Sequence, residues 1–348
     1  MKQGGKRMEP LRLDDPRNLG DYVPIGRVDA PDGEVPLPVR RFVARGAGGG
    51  RTVLISVPLA ELAGDHEYGE RFAAEAETAR RLGAEARLPW TAQVMESSRL
   101  PGGPPWYTTP YVPALPLPGV LAAHGGGLPE RTLRALGLGL AEALTELHAR
   151  GAVHAGVSPG ALLVAADGPL LTAYGAMRAL VPGTGHFAHR PSLAGLPERG
   201  GVPPEQLSGG TPGPPGDVHA LGAVLCYAAS GLDGADSSRM PASMRTLVAA
   251  CLSEDPGDRP QAAVVRDELR TGAAALPVTS GPPPVPVAAQ RRGPVSAPAA
   301  VPWSAGGAAG GTVLDSAASA FGPGWLPARV IAAIARQSAC ALGAALPA

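Results

Sequence analysis

Lysine and asparagine are nearly absent from this chain: the only lysines are Lys2 and Lys6, and the only asparagine is Asn18. Chemistry in the body of the protein therefore proceeds without an ammonium side chain and without an asparagine carboxamide. Aromatic residues make up 4% of the sequence, so a core must be packed from Leu, Val and Ala. Cys226, Cys251 and Cys340 stand apart with no CxxC spacing. That argues against a disulfide framework or a structural zinc, and it fits small buried apolar residues in a reducing interior. Charge balances at 30 Lys plus Arg against 30 Asp plus Glu, so no global field draws in nucleic acid or anionic lipid. No apolar run of about 18 residues occurs, and the nearest approach, 330–345, is broken by Arg336 and Gln337. The start of the chain has basic residues but no apolar h-region. The expectation is a cytoplasmic protein with no secretion signal and no membrane span.

Glycine (48) and proline (40) are abundant, a bias that implies low-complexity segments beside a folded part. Residues 1–16 are polar and aperiodic and read as a disordered tail, with Asp14 and Asp15 as solvated charges. From Leu19 to about Val112 the pattern is strand-like, with 53–57 as a buried strand. One helix interrupts the strands, with Phe72, Ala76, Ala79 and Leu82 on a single face. The clearest helix covers 129–150 through Leu133, Leu136, Leu140, Leu144 and Leu147, and Gly151 is its stop. Short strands follow at 162–165 and 170–173 with Asp167-Gly168 as their turn, then helices over 217–230, 240–252 and 260–269. This describes a two-lobed α+β domain over 17–272, with the lobes meeting near residue 112. Residues 273–311 are Pro, Ala, Gly and Ser and read as a disordered linker. Within the segment 312–348, a helix over 325–346 carries a stripe of Leu326, Val330, Ile334 and Leu342, suited to docking on the domain or on a partner.

At His154 the reading becomes specific. The segment 147–163, LHARGAVHAGVSPGALL, resembles the catalytic-loop passage LHxxGxVHRDLKPxNxLL of bacterial eukaryotic-type (Hanks-type) serine/threonine protein kinases. Further matches keep the family's order. Glu75 lies in the helix that supplies the family's small-lobe glutamate, and LLTAYG over 170–175 resembles the strand entering the DFG motif. Residues 203–205 resemble the APE motif, Asp217 opens a DxxSLG-like helix start, and 251–260 resembles CLxxDPxxRP. The resemblance spans about 17–272 and implies a bilobal protein-kinase-like fold: a β-rich small lobe with one helix and a mainly helical large lobe.

Phosphoryl transfer in that family needs Mg²⁺ ligands, a strand lysine on the phosphates and an aspartate that orients the attacking hydroxyl. Carried over residue by residue, the resemblance puts Ser56 at the lysine, Gly156 at the base aspartate, Ser158 at the following lysine, Ala161 at the metal-binding asparagine and Ala173 at the DFG aspartate. Glu75 is then left without its ion-pair partner. The Gly-rich loop keeps Gly26 and Gly33 but has Asp29 where its first glycine belongs. A carboxylate there repels a phosphate by about 1 kcal/mol or more per close pair. Leu54 replaces the small adenine-roofing alanine, and its extra methylenes occupy space the base needs. The positions that match keep scaffold duties: Glu205 and Arg259 as an ion pair, Asp217 on the catalytic-loop backbone, His154 and Tyr174 in a packed spine, and Gly175 after Tyr174. Arg40, Arg41 and Arg51 are the cations available to replace the missing lysine. His186 and His189 fall in the activation segment and do not read as a metal pair.

The resemblance therefore implies a degenerate kinase domain, a pseudokinase used in signalling as a regulatory or protein-binding module, with a protein partner, no metal and no expected cofactor. Two alternatives stand beside it: a divergent ATP- and Mg²⁺-dependent serine/threonine protein kinase, and a metal-independent nucleotide sensor.

Overall fold

The computed structural model describes residues 9–28, 37–46, 51–99, 103–180, 201–232, 235–273 and 320–343. Asp29, Gly33, His186 and His189 lie outside the described residues, as does the linker expected over 273–311 apart from Ala273, which ends a helix. The small lobe contains β1 (Tyr22–Arg27), β2 (Val39–Gly46), β3 (Thr52–Pro58), α1 (Ala60–Ala63), α2 (His66–Glu85), β4 (Glu96–Arg99) and β5 (Pro105–Pro110). Its strands form one antiparallel sheet in the order β1-β2-β3-β5-β4. β3 is buried along nearly its whole length because it lies in the middle of the sheet. α2 begins where the Asp65 carboxylate accepts the Tyr68 backbone N–H, an N-cap of the usual chemistry. Its Phe72 ring then packs 5.5 Å from that of Tyr107 on β5.

The large lobe follows the connector 111–113. It holds β6 (Ala114–Pro116), α3 (Leu117–His124), α4 (Glu130–Ala149), β7 (Leu162–Ala165), β8 (Gly168–Leu171), α5 (Ala176–Leu180), α6 (Pro204–Leu207), α7 (Pro214–Ser230), α8 (Ala242–Cys251), α9 (Ala262–Ala273) and, from the far end of the chain, α10 (Ala328–Gly343). The leucine stripe of α4 is the core: Leu133, Leu136, Leu140, Leu144 and Leu147 are each at most 1% exposed. α7 and α9 pack against it. β6, β7 and β8 form a second small sheet. The α+β, two-lobed architecture matches the expectation from sequence.

Three details differ. The leading segment is ordered earlier than residue 16: the Glu9 carbonyl accepts the Arg27 N–H at 2.8 Å. Asp15 is 4% exposed and pairs with Arg27 and Arg40 at 2.9 and 3.4 Å. Those two cations draw it inward, whereas Asp14 stays open to solvent. The β7–β8 turn is Ala166-Asp167, not Asp167-Gly168. Gly168 opens β8 at φ 143°, where an added Cβ would lie 2.4 Å from the Trp90 ring. The C-terminal helix docks on the domain itself, against α3 and β6.

Candidate functional site

The candidate site is the cleft between the lobes, and Arg41 enters it from above. Arg41 on β2 stands opposite Ser56 on β3, and directly opposed residues share a sheet face. Arg41 is only 2% exposed; its Nη1 donates to Thr172 Oγ1 at 3.1 Å and its Nη2 to the Gly160 carbonyl at 2.9 Å. Thr172 precedes Ala173 and Gly160 precedes Ala161, so the guanidinium sits beside both positions assigned to metal ligands. Arg40 turns the other way, to Asp14 and Asp15, and Arg51 reaches Met95 Sδ. Of the three candidate cations, Arg41 is the one the fold delivers to the cleft.

Below the sheet, Leu54 joins Ala114, Leu163, Ala165 and Leu170 in one apolar cluster that crosses from the small lobe to the large lobe. Gly26 lies on β1 opposite Val43, beside an irregularity in the β1–β2 register.

The loop between α4 and β7 is held from beneath. The Asp217 carboxylate, in the first turn of α7, accepts the backbone N–H groups of His154 and Ala155 at 2.7 and 2.8 Å. His148 Nε2 lies 3.0 Å from the same carboxylate. Ala155 and Ala173 adopt left-handed φ angles of 49° and 61°, which cost an L-residue about 1–2 kcal/mol each. Between them, Gly156 meets the other strand of the cleft. A Cβ added there would lie 2.3 Å from the Ala173 carbonyl oxygen, so the backbone occupies the place where a side chain at 156 would begin. Ser158 Oγ accepts the Ala161 N–H at 3.2 Å and serves the local turn.

Glu75 has a partner after all. Arg178 on α5 donates Nε and Nη2 to its two carboxylate oxygens, both at 2.8 Å, and Nη1 to the Val153 carbonyl at 2.9 Å. The expectation of a stranded carboxylate is corrected. A cation from the segment after the DFG-like motif replaces the strand lysine, and such a fork-to-carboxylate pair is strong and directional. Gly175, at φ 69°, is required here, because an added Cβ would lie 2.2 Å from Glu75 Oε2. The Arg178 guanidinium also lies over the Tyr174 ring, 5.2 Å from its centre. Tyr174 meets the His154 ring edge-on at 5.7 Å. Burial holds the His154 imidazole down to about 4; the Asp217 charge opposes this shift, and Arg178 and His148 reinforce it.

Lower in the large lobe, Arg259 Nη1 and Nη2 donate to Glu205 Oε1 and Oε2 at 2.9 and 2.8 Å. His219 is lowered to about 4, first by burial and then by the Arg259 charge. Among the described residues no group of three or more His, Cys, Asp or Glu side chains is placed to hold a metal ion, and no helix is long and apolar enough to cross a membrane. Sequence reading missed Arg178. Its one signal was a cation in the otherwise apolar turn AMRAL.

No protein-family model matches the sequence. The chain is 36% identical over 282 residues to the probable serine/threonine-protein kinase PkwA of Thermomonospora curvata, an alignment covering 76% of this chain and 36% of that protein. It is 28% identical over 285 residues to the serine/threonine-protein kinase AfsK of Streptomyces coelicolor, covering 75% of this chain and 33% of the relative. The chain thus spans about a third of the length of these relatives. In structure it resembles the kinase domain of PknI from Mycobacterium tuberculosis with a TM-score of 0.57 and 20% identity, covering 76% of this chain and all of that domain. The chain has the protein-kinase fold and is similar in sequence to bacterial Hanks-type serine/threonine protein kinases.

Proposed function

We propose that this domain is a pseudokinase: a kinase fold that does not transfer phosphate and that acts as a regulatory, protein-binding module. The observation that carries the reading is the bridge from Arg41 to Thr172 Oγ1 and the Gly160 carbonyl, which puts a buried cation beside Ala161 and Ala173. A divalent metal there would meet a guanidinium and two methyl groups in place of carboxylate and amide oxygens, which is the wrong donor set for Mg²⁺. Two further features support the same reading: a side chain at 156 would begin against the Ala173 carbonyl, and Leu54 adds apolar bulk at the position the resemblance gives to the adenine roof.

A second reading, a divergent serine/threonine protein kinase, is favoured by the names of the relatives. It also has a cation in its support, because Arg41 delivers from β2 a charge that suits phosphate. The third, a nucleotide sensor without metal, needs only that charge.

Thermal unfolding of the full chain with ATP or ADP, each with and without Mg²⁺ or Mn²⁺, separates the three. A ligand at 100 times its dissociation constant adds about 2.7 kcal/mol, a shift of a few degrees. The pseudokinase reading expects no shift in any condition and no phosphate incorporation into a mixed Ser/Thr peptide pool. Incorporation, or a metal-dependent shift, overturns it in favour of the kinase. A shift independent of metal overturns it in favour of the sensor.

A further inference from the structure

α10 reaches both lobes. It is entered through an anchor on the large lobe: Trp325 Nε1 donates to the Ala166 carbonyl at 2.6 Å, and Thr132 Oγ1 donates to the Trp325 carbonyl, also at 2.6 Å. Phe321 packs between Trp90, tilted, and Trp325, edge-on, with ring centres 4.7 and 4.8 Å away. From that anchor the helix crosses α3 and β6 with Val330, Ile334 and Ala341 buried against the domain. Further along, Ser338 lies beside the Tyr111 side chain, in the connector between the lobes. The last turn then ends against the small lobe, where Arg45 of β2 donates Nη2 to the Leu342 and Ala341 carbonyls at 2.5 and 3.3 Å.

That final contact has a clear chemical reason. The last carbonyls of a helix have no partner within it and carry its negative end, so a cation there is favourable. α10 has no basic residue in its own last turn. The small lobe supplies the charge from β2, and the cap of the helix becomes a bond between lobes.

We propose that α10 is an interlobe strap. It fixes the small lobe at one angle by gripping the large lobe, the connector and β2 together, and its undocking frees the hinge. The proposal does not depend on whether the cleft binds nucleotide.

Hydrogen exchange of the full chain, read by mass spectrometry, tests it with two variants. Ile334→Asp puts a charge into the buried stripe and undocks the helix. Exchange across 328–343 should rise, and exchange in 39–46 and 111–116 should rise with it by roughly tenfold, the factor that about 1.4 kcal/mol of lost protection produces. Arg45→Met removes the cap and keeps a long side chain on β2. It should raise exchange in 39–46 and in the last turn of α10 by a few-fold while 328–338 stays protected. If 328–343 loses protection in Ile334→Asp while 39–46 and 111–116 do not change, α10 is docked without coupling the lobes and the proposal is overturned. If Ile334→Asp fails to fold, Arg45→Met decides alone, since the half-buried Arg45 belongs to none of the apolar clusters; unchanged exchange in 39–46 again overturns the strap.

Discussion

Gly156 gives the proposed pseudokinase reading a steric test. Putting an aspartate back at this position looks like a repair in the sequence alone, but its Cβ would start 2.3 Å from the Ala173 carbonyl. Overpacking of this kind costs about 3 kcal/mol or more when the obstacle is backbone. Gly156→Asp is therefore expected to lower the urea midpoint sharply and to produce no phosphate incorporation; a folded, active variant would mean that the two segments move apart easily. His154 gives a second expectation at this scale. Its folded value is about 4 against an ordinary 6.5, so between those pH values the unfolded chain binds more protons. Stability from this group is then complete above about pH 6.5 and declines as pH falls toward 4, by a total on the order of 3 kcal/mol. His154→Phe should flatten the melting temperature against pH across that window, incompletely because His219 is lowered in the same direction. A slope identical to that of the unmodified protein would remove His154 as its source. The scaffold residues were legible one at a time because motif order fixes their neighbours: Asp217, Glu205 and Arg259 each meet the partner that order assigns. Arg178 was not, because its partner Glu75 lies 103 residues away in sequence and nothing local marks the pair.

Among the elements, the least expected pairing is α2 with α5. The short turn after Gly175 carries Arg178 to Glu75, and Arg71 of α2 donates Nε to the Ala179 carbonyl at 2.7 Å. Two guanidinium contacts thus run in opposite directions between the helices, so α2 is held inward by the segment that follows the cleft and not by a lysine on β3. Both members of the Arg178–Glu75 pair keep some solvent contact, 26% and 20% of the side chain. Screening therefore limits the expected cost of Arg178→Ala to about 1–2 kcal/mol, below that of a fully buried pair. A double-mutant cycle with Glu75→Gln, read by denaturant unfolding, should return a coupling of about 1 kcal/mol; additive single effects would show that the pair contributes nothing. The type of the longer elements was readable. A short β-branched run and the leucine period depend on near neighbours, so β3 and α4 lie close to where the sequence puts them, whereas β6 and α3 were not read. What a short apolar turn such as α5 packs against is decided by tertiary contact, and the sequence carries almost no trace of it.

For the whole molecule, the lobes are joined at several places besides the connector and the α2–α5 contacts. Arg41 bonds Gly160 and Thr172, Leu54 packs with Leu163 and Leu170, and Arg45 caps α10. A two-lobed sequence pattern predicts none of these joints, because each pairs residues more than 100 apart in sequence. Their physical consequence concerns cooperativity. Proteins of this size often unfold in steps when their parts are loosely joined. Here the small lobe cannot open without exposing the buried Arg41 and the apolar Leu54 cluster, so its unfolding is coupled to that of the large lobe. Calorimetry of the full chain should give one transition in which the calorimetric and van't Hoff enthalpies agree. Leu54→Ala, which empties part of the central joint at a cost of about 2–5 kcal/mol, should lower that transition and broaden or split it. Two resolved transitions in the unmodified protein would show that the lobes unfold independently and that these joints carry little energy. A Leu54→Ala variant that melts lower but stays a single sharp transition would instead assign the coupling to the polar joints: Arg41, the α2–α5 pairs and the cap on α10.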